Sequence, residues 1–187
     1  MNLDGITNAH QLQVEAFKTD MYPDKAVRED RLDRVITLLK ENVKALSNAL
    51  AEDYGHRHLF ESAVFDIYVS LDALKYSKKN LTRWMRAENR GAKFPLNLFG
   101  SKAYLHYQPL GVVGIIGPWN FPLQLIFSPL ANVLAAGNRA MIKPSEMTPN
   151  TSLLIEKLIR EYFDDSEIAV VNGLSLIHIS EPTRLEP

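Results

Sequence analysis

The stretch PLGVVGIIGPWNFP, residues 109–122, decides the fold. Its first half, Val112-Val113-Gly114-Ile115-Ile116, is apolar and β-branched, as in a strand covered on both faces. Gly117-Pro118 then forces a tight turn, which presents Trp119 and Asn120 at the carboxyl end of the strand. Pro122 opens a helical run through Leu125, Ile126, Leu130, Val133 and Leu134, and Gly137-Asn138 ends it. Downstream, Ala140-Met141-Ile142-Lys143 reads as a second strand. Thr148 is placed as an N-cap with Pro149 at the first helical position, and Leu153, Leu154, Leu158 and Ile159 continue that helix. Ile168-Ala169-Val170-Val171 is a third strand. Strand, helix, strand, helix, strand in this order predicts a parallel sheet with right-handed crossovers.

Upstream the period is helical. Leu32, Val35, Ile36, Leu39, Val43, Leu46 and Leu50 recur at steps of three or four, with Pro23 where a helix can start and Gly55 where one can stop. Phe65, Tyr68, Leu71, Leu74, Leu81, Trp84 and Met85 mark a second helical face. Opposite it, Lys75, Lys78, Lys79 and Arg83 form a solvated basic face, with no interleaved aromatics of a nucleic-acid binder. Arg86 to Arg90 with Lys93 reads as a basic cluster beside a loop, and Tyr104 to Gln108 as a strand. The expected fold is therefore α/β: N-terminal helices followed by a partial Rossmann-like βαβαβ sheet.

The bulk properties exclude several functions. A net charge of -1 gives no general pull toward nucleic acid or anionic membrane. The longest apolar run, Leu110 to Gly117, is far short of a membrane span, and Met1-Asn2-Leu3-Asp4 does not begin a signal peptide. A cytoplasmic location is expected. Cysteine is absent, so thiolate chemistry within these 187 residues is excluded.

Two segments carry candidate chemistry. Open α/β sheets bind ligands at the carboxyl ends of their strands, where Asn120 offers an amide donor to a developing oxyanion. Gly111, Gly114 and Gly117 do not have the dinucleotide-fingerprint spacing, so they carry little by themselves. In the second segment, GNRAMIKPSE at 137–146, Lys143 could donate to hydroxyls or phosphate and Glu146 could accept from a ribose. The plainer alternative is a surface ion pair beside a helix start. His56 and His58 could face one way, but they lack the third and fourth ligands of a metal site. Ser128 and Ser145 have no nucleophile-elbow context.

Gly-Pro-Trp-Asn-Phe-Pro, then Ala-Ala-Gly-Asn, then Lys-Pro-Ser-Glu, with Asn120 and Lys143 23 residues apart, is similar to the aldehyde dehydrogenase superfamily. The likeness runs from about Leu12 to Gly173 and is greatest to the class 3 branch and its coniferyl aldehyde dehydrogenases. It implies NAD(P)-dependent oxidation of an aromatic or aliphatic aldehyde to the carboxylate. Asn120 would hold the oxyanion of the tetrahedral adduct. Ile116, Pro118, Trp119, Lys143, Ser145 and Glu146 would bind the cofactor, which is NAD with NADP as the alternative, since Glu146 repels a 2′-phosphate. The only partner implied besides the aldehyde is a second subunit, in a homodimeric parent. The matching division is 1–100 helical, 101–109 an oligomerisation-type strand, 110–173 a partial NAD(P)-binding domain and 174–187 a tail.

The family's remaining parts are a Gly-rich turn over the cofactor phosphates, a Glu-Leu-Gly-Gly base, a nucleophilic Cys after Gly-Gln, and a second Glu. None occurs in this sequence. Likeness ceases after Gly173, and Leu174 to Arg184 instead resembles the translation of a transposase-type sequencing adapter. His178 and Glu181 therefore receive no functional reading. Two alternatives stay open: acyl-phosphate or acyl-CoA chemistry on the same scaffold, against which Asn120 speaks, and a non-catalytic module that binds nucleotide or pairs with other subunits.

Overall fold

A computed structural model describes residues 3–55 and 57–173. Helix α1 (Leu3–Thr19) leads to α2 (Lys25–Glu41), where the Asp24 carboxylate accepts the Val27 N–H at 2.9 Å and so caps the first turn. The apolar face expected to run unbroken to Leu50 is divided at Asn42, whose amide donates to the Leu38 carbonyl at 2.9 Å. Helix α3 (Val43–Tyr54) follows and stops at Gly55, in the left-handed region with φ 76°.

The next helix corrects the expected face. A short turn α4 (Leu59–Glu61) runs into a π-helical segment, Ser62–Tyr68, and then α5 (Val69–Trp84). The wider π turn shifts the phase of the side chains. Phe65 and Tyr68, expected in the core, are more than half exposed, whereas Ile67 and Asp66 are fully buried with Leu71, Leu74 and Leu81. Strand β1 (Glu88–Arg90), within the basic cluster expected beside a loop, pairs antiparallel with β2 (Ala103–Leu105). This β2 is shorter than the strand expected over 104–108 and begins one residue earlier.

The expected βαβαβ unit is present. Strand β3 (Val112–Ile116), helix α6 (Gln124–Ala135), β4 (Arg139–Lys143), α7 (Pro149–Tyr162) and β5 (Ile168–Val170) form a parallel sheet in the order β3-β4-β5. Central β4 buries Ala140 and Ile142 completely. Strand β3 is an edge of the described sheet and, against expectation, is not covered on both faces: Ile115 points inward, while Ile116 is 65% exposed. Thr148 precedes Pro149 as expected, but its hydroxyl donates to the Ser145 carbonyl and makes no side-chain cap.

Polar ties hold the helices to the sheet. Gln13 of α1 donates to the carbonyls of Ala140 (2.9 Å) and Asp165 (3.0 Å). Glu167, just before β5, bonds Arg31 at 2.9 Å and Arg34 at 2.8 Å, both on α2. Burial pushes the Glu167 carboxyl up, but the bonds to Arg34 and Arg31 outweigh it and hold the group below its ordinary value. Among the described residues, no helix is long and apolar enough to cross a membrane.

Candidate functional site

Parallel register sets Ile116 against Lys143 and so brings both candidate segments to one end of the sheet. The Gly117 N–H continues the pairing by donating to the Lys143 carbonyl at 2.9 Å. A glycine is required there: a Cβ on Gly117 would lie 2.5 Å from Ile126 Cγ1, inside the van der Waals contact that lets α6 start against the turn. The strand-to-helix turn is thus tight because the chain has no side chain where β3 ends.

Ile116, at the end of β3, and Pro118, Trp119 and Asn120 of the turn that follows are exposed. The Asn120 side chain makes no hydrogen bond among the described residues. At the end of the neighbouring β4, Lys143 Nζ donates to Glu146 Oε2 at 2.6 Å and to the Pro144 carbonyl at 2.9 Å. The ion pair named as the plainer alternative therefore forms. Both side chains keep part of their surface in solvent, so either can also meet a ligand. Ser145 is placed differently: it is buried, its Oγ accepts the Met147 N–H at 3.2 Å, and its carbonyl accepts the Ser152 hydroxyl at 2.8 Å. It shapes the turn into α7.

Three neighbours of the Asn120 loop escape a reading of the sequence. The Tyr54 hydroxyl donates to the Trp119 carbonyl. Arg57 Nη1 makes a long contact, 3.5 Å, to the Asn120 carbonyl, and its guanidinium lies 5.2 Å from the Phe121 ring centre. Asp66 Oδ1 accepts the N–H groups of Leu123 and Gln124, each at 3.2 Å, at the start of α6. Arg57 Nη2 and Asp66 Oδ2 stand 2.7 Å apart as an ion pair, although Oδ2 has no well-directed hydrogen bond. Burial pushes the Asp66 carboxyl above its ordinary range, against the Gln124 N–H, Arg57 and the Leu123 N–H, which pull it back. The one sequence signal for this group is an acidic residue inside an apolar periodic stretch; Tyr54 and Arg57 give none.

Among the described residues there is no cluster of acidic, His or Cys side chains that could hold a metal. His58 Nδ1 accepts the Phe60 N–H at 3.1 Å, while His56 lies outside the described residues. So do residues 174–187, including His178 and Glu181.

The chain is similar to known proteins. The family model described as aldehyde dehydrogenase family matches residues 6–176, which reaches three residues past the expected limit at Gly173. A coniferyl aldehyde dehydrogenase of Pseudomonas sp. is 48% identical over 147 residues, covering 79% of this chain and 30% of that protein. A probable coniferyl aldehyde dehydrogenase of Caulobacter vibrioides is 43% identical over 164 residues, covering 87% and 34%. The substrate-bound structure of Staphylococcus aureus AldH superposes with a TM-score of 0.84 at 35% identity, over 93% of this chain and 37% of that one. The chain thus spans about a third of the length of the proteins it matches.

Proposed function

This chain belongs to the aldehyde dehydrogenase family, and from that premise we propose that it is the N-terminal part of an enzyme that oxidises an aldehyde to the carboxylate. The family uses NAD or NADP. The observation that carries the proposal is the unengaged Asn120 amide at the carboxyl end of β3, beside the Lys143–Glu146 pair at the end of β4.

The residues present fit half of a dinucleotide site. Ile116, Pro118 and Trp119 offer exposed apolar surface, 65% and 56% exposed at Ile116 and Trp119. Lys143 can donate to ribose hydroxyls and Glu146 can accept from them, with Ser145 holding their turn in shape. When bound, the dinucleotide supplies the hydride acceptor. Glu146 would meet a 2′-phosphate with like charge, which favours NAD over NADP. Asn120 donates its amide N–H to the carbonyl oxygen as negative charge collects there. The nucleophile belongs to sequence outside these 187 residues, which contain no Cys.

The identities above favour an aromatic aldehyde of the coniferyl type, with aliphatic aldehydes as the other class. The proposed division is a helical region at 1–100, an oligomerisation strand at 101–109 and the first part of the cofactor domain at 110–173, in a cytoplasmic homodimer. Residues 174–187 stand outside it as a tail foreign to the natural protein. A second reading, a binding or subunit-pairing module without catalysis, is favoured by the absence of Cys.

The test is made on a full-length enzyme carrying residues 1–173. Asn120→Ala should lower kcat by about 10²–10³ with an aromatic aldehyde and NAD, as loss of an oxyanion donor does. An unchanged kcat would remove Asn120 from the reaction. Nucleotide bound by the 187-residue chain alone, detected by calorimetry, would favour the module.

A further inference from the structure

The Asn120 loop has little to hold it by its own side chains. Pro118, Trp119 and Asn120 are exposed, and Phe121 is half-buried. Yet an amide that stabilises an oxyanion has to be fixed to within about 0.5 Å before the reaction begins. The grip comes from another part of the chain. Tyr54 holds the Trp119 carbonyl, Arg57 reaches the Asn120 carbonyl and covers the Phe121 ring, and Asp66 accepts the N–H groups of Leu123 and Gln124. Arg57 also lies 5.0 Å from the Tyr54 ring centre and pairs with Asp66, so the three form one unit.

The unit depends on the π-helical turn. An acidic residue at a fully buried position of a regular helix would face apolar neighbours. Here the wider turn over Ser62–Tyr68 aims Asp66 at the first N–H groups of α6, and the Ser70 hydroxyl donates to the Asp66 carbonyl at 2.6 Å. Asp66 thereby caps α6 from a different helix, where its charge also suits the helix dipole. Burying a carboxylate and a guanidinium together is a poor way to gain stability, because apolar residues of equal size commonly do better. What the charged pair adds is direction: two N–H groups, one ring and one carbonyl are fixed on either side of Asn120.

We infer that Arg57 and Asp66 are positioning residues for the Asn120 amide, clamping the backbone before and after it so that the side chain stands in one place. The inference rests on the oxyanion reading of Asn120 given above. Neither residue touches the reacting atoms.

The experiment uses the full-length enzyme carrying residues 1–173, with kcat, KM, cofactor dissociation constant and thermal midpoint measured for each variant. Asn120→Ala is the reference; if it is harmless, the oxyanion reading falls and this inference falls with it. If it is harmful, Arg57 and Asp66 decide the matter. Arg57→Met should lose ten- to a hundredfold in kcat, the order of loss for a reacting group displaced by about 1 Å. KM and cofactor affinity should stay within about twofold, since ground-state binding is untouched. The double variant Arg57→Met with Asn120→Ala should be no slower than Asn120→Ala alone, because a clamp has no effect once the clamped group is gone. Arg57→Lys keeps the charge but not the planar contact with the rings and should fall between. Asp66→Asn keeps Oδ1 as an acceptor for Leu123 and Gln124 and guards against a variant that fails to fold. It should lower the thermal midpoint, because Arg57 then stays buried without its charged partner, yet remain folded at the assay temperature and still lower kcat. Folded Arg57→Met and Asp66→Asn enzymes with normal kcat, or losses that multiply in the double variant, would overturn the inference. If Arg57→Met does not fold, the kcat of Asp66→Asn decides alone: a lowered value supports the clamp and a normal one overturns it.

Discussion

Replacing Glu167 with Gln should be costly, because it leaves Arg31 without its carboxylate partner. Glu167 accepts from Arg31 at 2.9 Å and from Arg34 at 2.8 Å, and the Arg31 side chain is only 5% exposed. Removing one partner of a buried pair costs about 3–5 kcal/mol, because the remaining charge stays out of water. The value here should lie near the lower end, about 3 kcal/mol. Glu167 keeps 19% of its surface, and Arg34 has other acceptors in Asp30 and the Tyr162 carbonyl. Against a total stability of roughly 5–15 kcal/mol that is a large share. The assay is pulse proteolysis in urea on the full-length enzyme carrying residues 1–173, reading the midpoint for each variant. The pH dependence gives an independent check. The Glu167 carboxyl is held below its ordinary value of 4.5, so its contribution is complete above that pH and is lost as the pH falls through the folded-state value. The parent chain should therefore lose stability on acidification below 4.5, and Glu167→Gln should lose less over the same range. A loss under about 1 kcal/mol at neutral pH, or parallel acid profiles, would refute the reasoning.

Three further outcomes follow from the described geometry. Gly117→Ala should destabilise by about 1–3 kcal/mol in the same assay, since the new methyl meets the fully buried Ile126 at 2.5 Å. The 187-residue chain should self-associate in sedimentation velocity, because β3 is an uncovered edge with Leu110 at 89% and Ile116 at 65% exposure; a monomer with a cooperative melt would contradict this. A long DNA read across the Gly173 codon should continue in the same frame into a Gly-rich turn, a Glu-Leu-Gly-Gly stretch and a Gly-Gln-x-Cys in place of the Leu174–Arg184 sequence. A genuine continuation through Leu174 to Pro187 would leave the binding-module reading to be tested.

The sheet is legible in the sequence because its punctuation is local. Gly117-Pro118, Gly137 and Pro149 each act within a few residues of their own position, and Gly55 stops α3 by its own φ. The break at Asn42 is hidden because it keeps the apolar residues in step: Leu39, Val43 and Leu46 are spaced as in one helix although two are present. The π turn is hidden for the opposite reason. It leaves the composition of a helix intact while rotating its faces, so periodicity places Phe65 and Tyr68 in a core from which the fold turns them out. At the site, Asn120, Lys143 and Glu146 are legible as motif. The clamp is not, since Tyr54, Arg57 and Asp66 act across more than fifty residues of chain.

The two bonds made by Gln13 set an order of events during synthesis. Its partners lie 127 and 152 residues further along, in the Ala140 and Asp165 carbonyls. At about 5–20 residues per second, α1 leaves the ribosome on the order of ten seconds before the second of those carbonyls exists. Through that interval the first helix has no sheet to lie on, and its buried residue Ala9 and the Gln13 amide face solvent or a chaperone. Helix α1 is thus among the last elements to settle, and a ribosome stalled before Asp165 would hold it without the second of its two acceptors.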